Sequence, residues 1–353
     1  MESINDIRYQ KDFNGKSFSK FKRNDVVKEF IKCILNNKIE SACNWSAELI
    51  CAGHYVCLWD TILLIMSKYI HLGNPKLPIY LLMRFNQFKD IISNGYIGNE
   101  LALRNNSAIR ILFGEIVVVL CLSNKRPGFE SVKINKLNEF NISQMSNKFK
   151  APNVNYGREI FRENDHKEIY IAINEFVYQV QNKTNLLDCC YWIEWLIEFD
   201  SLCRRKKEPL ECESRTFSPV DNKFQKDSIW IIWEILLHEA TDPLQTKIVT
   251  TLMELFSLKY NYSIKKKRKF ILYFAIELIT QQPNYQIDII NATTKSTVER
   301  VLKNLHKVYK NISKNQIAPK TDYLFQHAKT KSNLEKTIEK LNMMKKLNAE
   351  SYY

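Results

Sequence analysis

Glycine ends at Gly157: the remaining 196 residues, 158–353, contain none. Sheet proteins need glycine where tight turns and bulges demand positive φ, so a stretch this long without it argues for helices. The hydrophobic period agrees. Apolar residues recur at steps of three and four, predicting helices near 25–34, from 39, over 55–71, 78–94 and 107–123, then over 164–181, 184–206, 226–240, 243–260, 264–282 and 293–316. Pro209, Pro219, Pro243, Pro283 and Pro319 fall in the gaps, where proline does no harm. The stretch 125–157, holding Pro127, Gly128 and Pro152, loses the pattern. The expected fold class is all-α, with two packed multi-helix lobes at 24–124 and 158–318 joined by an irregular connection at 125–157. A basic N-terminal arm (1–23) precedes them. A polar tail (319–353), with a weakly amphipathic helix near 331–348, follows.

YWIEWLIEF at 191–199 and IWIIWEILL at 229–237 share a W-x-x-W core, offset near the period of helical-hairpin repeats. Only two units exist, and two adjacent core helices with similar packing needs explain them more cheaply.

The charge is lopsided: 52 Lys plus Arg against 38 Asp plus Glu, a formal net charge of +14. Such an excess suits nucleic acid, an acidic protein or an anionic surface, and equally suits plain solubility in a lysine-rich composition. Two clusters are the candidate nucleic-acid contacts. Arg300, Lys303, Lys307, Lys310 and Lys314 recur at helical spacing and form one cationic ridge, opposite Val301, Leu302, Leu305, Val308, Tyr309 and Ile312. Lys265, Lys266, Lys267, Arg268 and Lys269 stand just ahead of the preceding helix. A third cluster, Arg204-Arg205-Lys206-Lys207, ends a helix, where the negative end of the dipole also explains it. No base-reading module is recognisable, so contact without sequence-specific readout is expected.

Catalytic and metal signatures are weak. Cys51-x-x-His54-x-x-Cys57 does not converge on one helix face, and two buried thiols with a helix-end histidine explain it. His238-Glu239 starts like a zincin helix, but Asp242 stands where the second histidine belongs and Pro243 follows. Gly95-Tyr-Ile-Gly98 lacks the lysine of a phosphate loop. Glu194, Glu198, Glu234 and Glu239 lie on strongly apolar helices, where they could pair with the basic excess. No cofactor, metal or catalytic residue is assigned. The nine cysteines, an odd number lying mostly in apolar pattern, fit buried thiols rather than a disulfide framework. The apolar run 111–122 is too short to span a bilayer, so no membrane partner is expected.

The runs CNWSAELICAGHYVCLWDTILLIMSKYIHLGNPKLPIYLLMRF (43–85), RNNSAIRILFGEIVVVLCLSNKR (104–126) and KTDYLFQHA (320–328) resemble an uncharacterised all-helical protein family of nucleocytoplasmic large DNA viruses. The resemblance implies an intracellular setting, in infected cytoplasm or the virion, and supplies no site residues. Residues 38–80 alone look like the helical collar of clamp-loader-related ATPases. The ATPase module has no counterpart here, so that likeness implies an assembly domain.

The function expected is that of a non-enzymatic helical interaction or scaffold protein, viral and cytoplasmic. Its basic clusters would engage nucleic acid or an assembly containing it, with protein partners besides. The alternatives are a virion structural or assembly component that binds protein only, and an enzyme whose site is scattered along the chain.

Overall fold

The computed structural model describes residues 3–128, 130–135, 139–140, 145–183 and 185–317. The expected tail, its helix and the run 320–328 lie outside them. Eleven α-helices occur among the described residues, and no strand does. They are α1 (Arg23–Leu35), α2 (Ile39–Cys51), α3 (Tyr55–Leu64), α4 (Leu77–Ser93), α5 (Ser107–Leu122), α6 (Tyr170–Gln181), α7 (Leu186–Arg205), α8 (Ile229–Glu239), α9 (Pro243–Ser257), α10 (Ile264–Thr280) and α11 (Ala292–Ser313). The all-α expectation holds.

Local chemistry explains the ends. Asn106, Asn185, Asp242 and Asn291 each accept a backbone N–H in the first turn of α5, α7, α9 and α11, and Pro243 opens α9 with the φ a helix start requires. The first helix begins at Arg23, two residues before the expected start, which puts Asp25 in its first turn, where an acid suits the helix dipole. Two residues past the end of α2, Gly53 takes the left-handed conformation at φ +73°.

The helix expected over 55–71 breaks instead. After Leu64 the chain widens into a π turn, Ile65–Ile70, then tightens into a 3-10 turn, His71–Gly73. His71 sits at φ +50°, with its buried ring 4.7 Å from that of Phe274 and Nδ1 2.5 Å from Glu277 Oε2. Residues 123–128 lie against this turn: Gly128 N–H donates to the Lys68 carbonyl at 2.7 Å and Arg126 N–H to that of Ile70 at 3.2 Å. A Cβ at Gly73 would stand 2.9 Å from the Asn124 carbonyl carbon and closer still to its oxygen. Backbone cannot swing aside as a side-chain tip can, so Gly73→Ala is expected to cost about 1–3 kcal/mol. A urea-denaturation midpoint that does not move would contradict this.

By length and composition, Tyr55–Gly73 is apolar enough to cross a membrane, although 67% of the window is buried inside the fold. The apolar run 111–122 is a different segment. That run is α5, which packs against α1, α2, α4 and α11.

By contacts the described residues divide into two units. The smaller comprises 5–8 with 317: Ile7 N–H donates to the Ile317 carbonyl at 3.1 Å, Ile317 N–H to Asp6 at 3.0 Å, and Asp6 pairs with Arg8 at 2.5 Å. The larger comprises 3–4 with 9–316 and takes in elements of both expected lobes. Within it α11 packs on α5 and α2, α4 on α9, and α10 on the π turn. Residues 9–23 of the arm are also part of it, with Phe13 and Phe18 buried and stacked at 5.9 Å. Between α5 and α6, the described part of 125–157 holds one short 3-10 turn, Ser146–Lys148. Trp192, Trp195, Trp230 and Trp233 are all buried on α7 and α8, which touch each other.

All nine cysteines are free thiols. Burial pushes Cys43, Cys121, Cys189 and Cys212 up to about 12, and only Cys57 and Cys203 are partly exposed. Thiolate is the reactive form. Disulfide-reagent titration of the native protein at pH 8 is therefore expected to count no more than these two, and all nine in denaturant. More than two fast-reacting native thiols would refute the packing described.

Candidate nucleic-acid interface

The two candidate clusters end in opposite environments. Lys265–Lys269 do not precede a helix: they form the first turns of α10. That is the positive end of the helix dipole, where cations are unfavourable unless anions surround them. Five carboxylates do. Lys265 Nζ, 3% exposed, lies 2.6 Å from Asp200 and 2.7 Å from Asp227. Lys266 pairs with Glu198, and Lys267 with Asp60 at 2.6 Å. Arg268 donates to Asp60 at 2.9 Å and to the carbonyls of Phe256 (2.9 Å) and Leu258 (2.6 Å). Lys269 reaches Glu194 at 2.7 Å.

The pentad thus ties α10 to α3, α7 and the turn before α8. Arg204 joins it, donating to Asp200 at 2.8 Å while its guanidinium covers the ring of Tyr262 at 3.6 Å. Tyr260 donates to Asp227 at 3.0 Å, and burial, with that carboxylate alongside, holds its phenol far above the usual range and so protonated. As nucleic-acid contacts, Lys265 and Arg268 must be withdrawn: both are buried and their charges are met inside the protein. Lys266, Lys267 and Lys269 keep their ammonium groups on internal carboxylates too. A run of five basic residues cannot reveal that acids distant in sequence lie opposite them. The acids on apolar helices were the available signal, and Glu194 and Glu198 do pair with this run. Glu234 likewise meets Arg162 at 2.5 Å and Arg215 at 2.9 Å.

The α11 ridge stays outside. Arg300, Lys303, Lys307, Lys310 and Lys314 are all exposed, and none forms an ion pair among the described residues. They span about 21 Å of helix axis at 1.5 Å per residue. The opposite face explains why the helix holds. Leu305, Tyr309 and Ile312 are buried, each side chain contributing about 1.5–3 kcal/mol. The Arg110 guanidinium of α5 lies over the Tyr309 ring at 4.1 Å. Gly114 of α5 admits Leu305, whose Cδ2 lies 2.9 Å from where a Cβ would stand.

Between α11 and α2 runs a groove of about 790 Å³. Arg300, Asn304, Lys307 and Asn311 line its α11 wall, and Asn44 and Trp45 its α2 wall. Glu40 is also on the α2 side, so the cationic character belongs to the α11 wall. Trp45 is half-buried, and Phe21, 51% exposed, meets its ring edge-on at 5.6 Å. Composition gave no hint of Trp45, since nothing in the chain marks which tryptophan faces a groove. Lys303, Lys310 and Lys314 stand further round the helix, outside the groove.

The other motifs are occupied otherwise. His54 Nε2 lies 2.6 Å from the Lys16 carbonyl, and the ring of His238, an exposed residue, is 3.2 Å from Glu239. No group of three or more potential metal ligands occurs among the described residues.

No family model, no curated protein and no solved structure matches this chain.

Proposed function

We propose that this protein is a non-enzymatic interaction module that binds the phosphate backbone of nucleic acid through the α11 ridge. The likeness of residues 43–85 and 104–126 to the viral family makes infected cytoplasm its proposed setting. One observation carries the reading: five exposed cations on one helix face, with no carboxylate drawn in against them among the described residues, while the neighbouring basic run is neutralised internally. Like charges at steps of three and four repel and cost the helix stability, a cost that an external polyanion would offset. Phosphates meet such a ridge without regard to sequence, and the released counterions make the affinity fall as salt rises. Retention of labelled DNA or RNA by the full chain at low salt, lost when Lys303, Lys307 and Lys310 become glutamate, tests it. Unchanged retention would remove the proposal and favour a partner that is protein only.

A further inference from the structure

Beside the ridge stands a half-buried tryptophan, Trp45, that backbone binding alone does not require. Of the chain's six tryptophans, Trp59, Trp192, Trp195, Trp230 and Trp233 are buried, none more than 6% exposed. Trp45 alone opens onto a groove, and Phe21 braces its ring edge-on, which limits the entropy lost when something stacks there. The two walls of the groove differ in kind. Arg300 and Lys307 make the α11 wall cationic, while Trp45 and Asn44 make the α2 wall aromatic and polar, with one carboxylate, Glu40, beside them. That asymmetry matches a nucleotide strand lying edgewise, with phosphates toward α11 and bases toward α2.

Resting on the reading above, we infer that the α2/α11 groove is a single-strand site in which an unpaired base stacks on Trp45 while Arg300 and Lys307 hold the flanking phosphates. In a duplex the base faces are covered by their neighbours, so only an unpaired strand can offer one to the ring. Asn44, on the α2 wall, carries an amide donor and acceptor that tolerate any base edge, consistent with binding blind to sequence. An acidic peptide would suit the cations equally but would leave Trp45 without a stacking partner.

The experiment compares a short oligothymidylate with a duplex of equal length, using the full chain at low salt. Excited selectively, tryptophan emission should fall on adding oligothymidylate and hold steady on adding duplex; the five buried tryptophans leave Trp45 to report. Trp45→Ala should weaken oligothymidylate binding roughly tenfold, the loss typical of one stacked base, and leave duplex binding unchanged. Trp45→Phe, which keeps a ring, should recover most of the loss, so misfolding cannot explain the pattern. Unquenched emission, with equal affinity for both ligands and an indifferent Trp45→Ala, would overturn this inference and leave the ridge proposal standing. No binding of either ligand would overturn both.

Discussion

Lys265→Met will lower stability by about 3–5 kcal/mol, the usual cost of removing one partner of a buried ion pair. Lys265 Nζ is shared between Asp200 and Asp227, whose side chains are 1% and 0% exposed. Methionine matches its length but leaves two buried carboxylates with Arg204 alone. Arg204 reaches Asp200 at 2.8 Å and Asp227 only at 3.7 Å, so it cannot serve both well. Tyr260 and the backbone N–H of Ile229 would still donate to Asp227, softening the loss without cancelling the charge. Lys267→Met is the control. Its side chain is 62% exposed and its partner Asp60 keeps Arg268, so the change should stay within about 1 kcal/mol. Urea denaturation followed by helical circular dichroism measures both. Nucleic-acid retention per folded molecule should be the same for Lys265→Met as for the unaltered protein. A silent effect on stability with loss of retention would return the pentad to the surface role its sequence suggested.

Glutamate at 303, 307 and 310 will reduce low-salt affinity for nucleic acid by roughly a hundredfold or more, and will flatten its salt dependence. Five phosphate contacts give a log–log slope near −3.5 on a single strand and near −4.5 on a duplex. With three cations reversed, Arg300 and Lys314 can supply a slope of at most about −1.4 on a single strand and about −1.8 on a duplex, against the added repulsion of three carboxylates. The same substitutions set one new carboxylate a helical step after Arg300 and another a helical step before Lys314. Opposite charges at that spacing attract, so the helix should hold as well as before or slightly better. Thermal melting run beside the binding titration separates the two effects. Loss of binding with an unchanged melt supports the ridge; an unchanged slope removes it.

Much of the fold was legible because helices advertise themselves locally. The expected helix at 243–260 became α9, Pro243–Ser257, and that at 107–123 became α5, Ser107–Leu122, since caps and apolar stripes are written within a few residues of where they act. The stripe of α11 was equally plain, and its cationic face is exposed as its spacing implied. Tyr55–Gly73 shows the limit. The run is mainly apolar on both sides of Leu64, so the composition of the segment does not register the π turn at Ile65–Ile70. That turn arises where Gly73 and residues 123–128 come into contact, a meeting of segments some fifty residues apart.

By itself, the sequence determined the all-α class, most helix positions and the existence of the α11 ridge, because each depends on neighbours within one or two turns. Only the tertiary structure decided which basic cluster is free. Lys265–Lys269 and Arg300–Lys314 each carry five Lys or Arg residues, but charge is a long-range quantity: its effect depends on which carboxylates the fold carries alongside. Asp60, Glu194, Glu198, Asp200 and Asp227 converge on the first run from elsewhere in the chain. No described carboxylate pairs with the second, and Trp45 comes to lie beside it only because α2 and α11 pack on α5 and on each other.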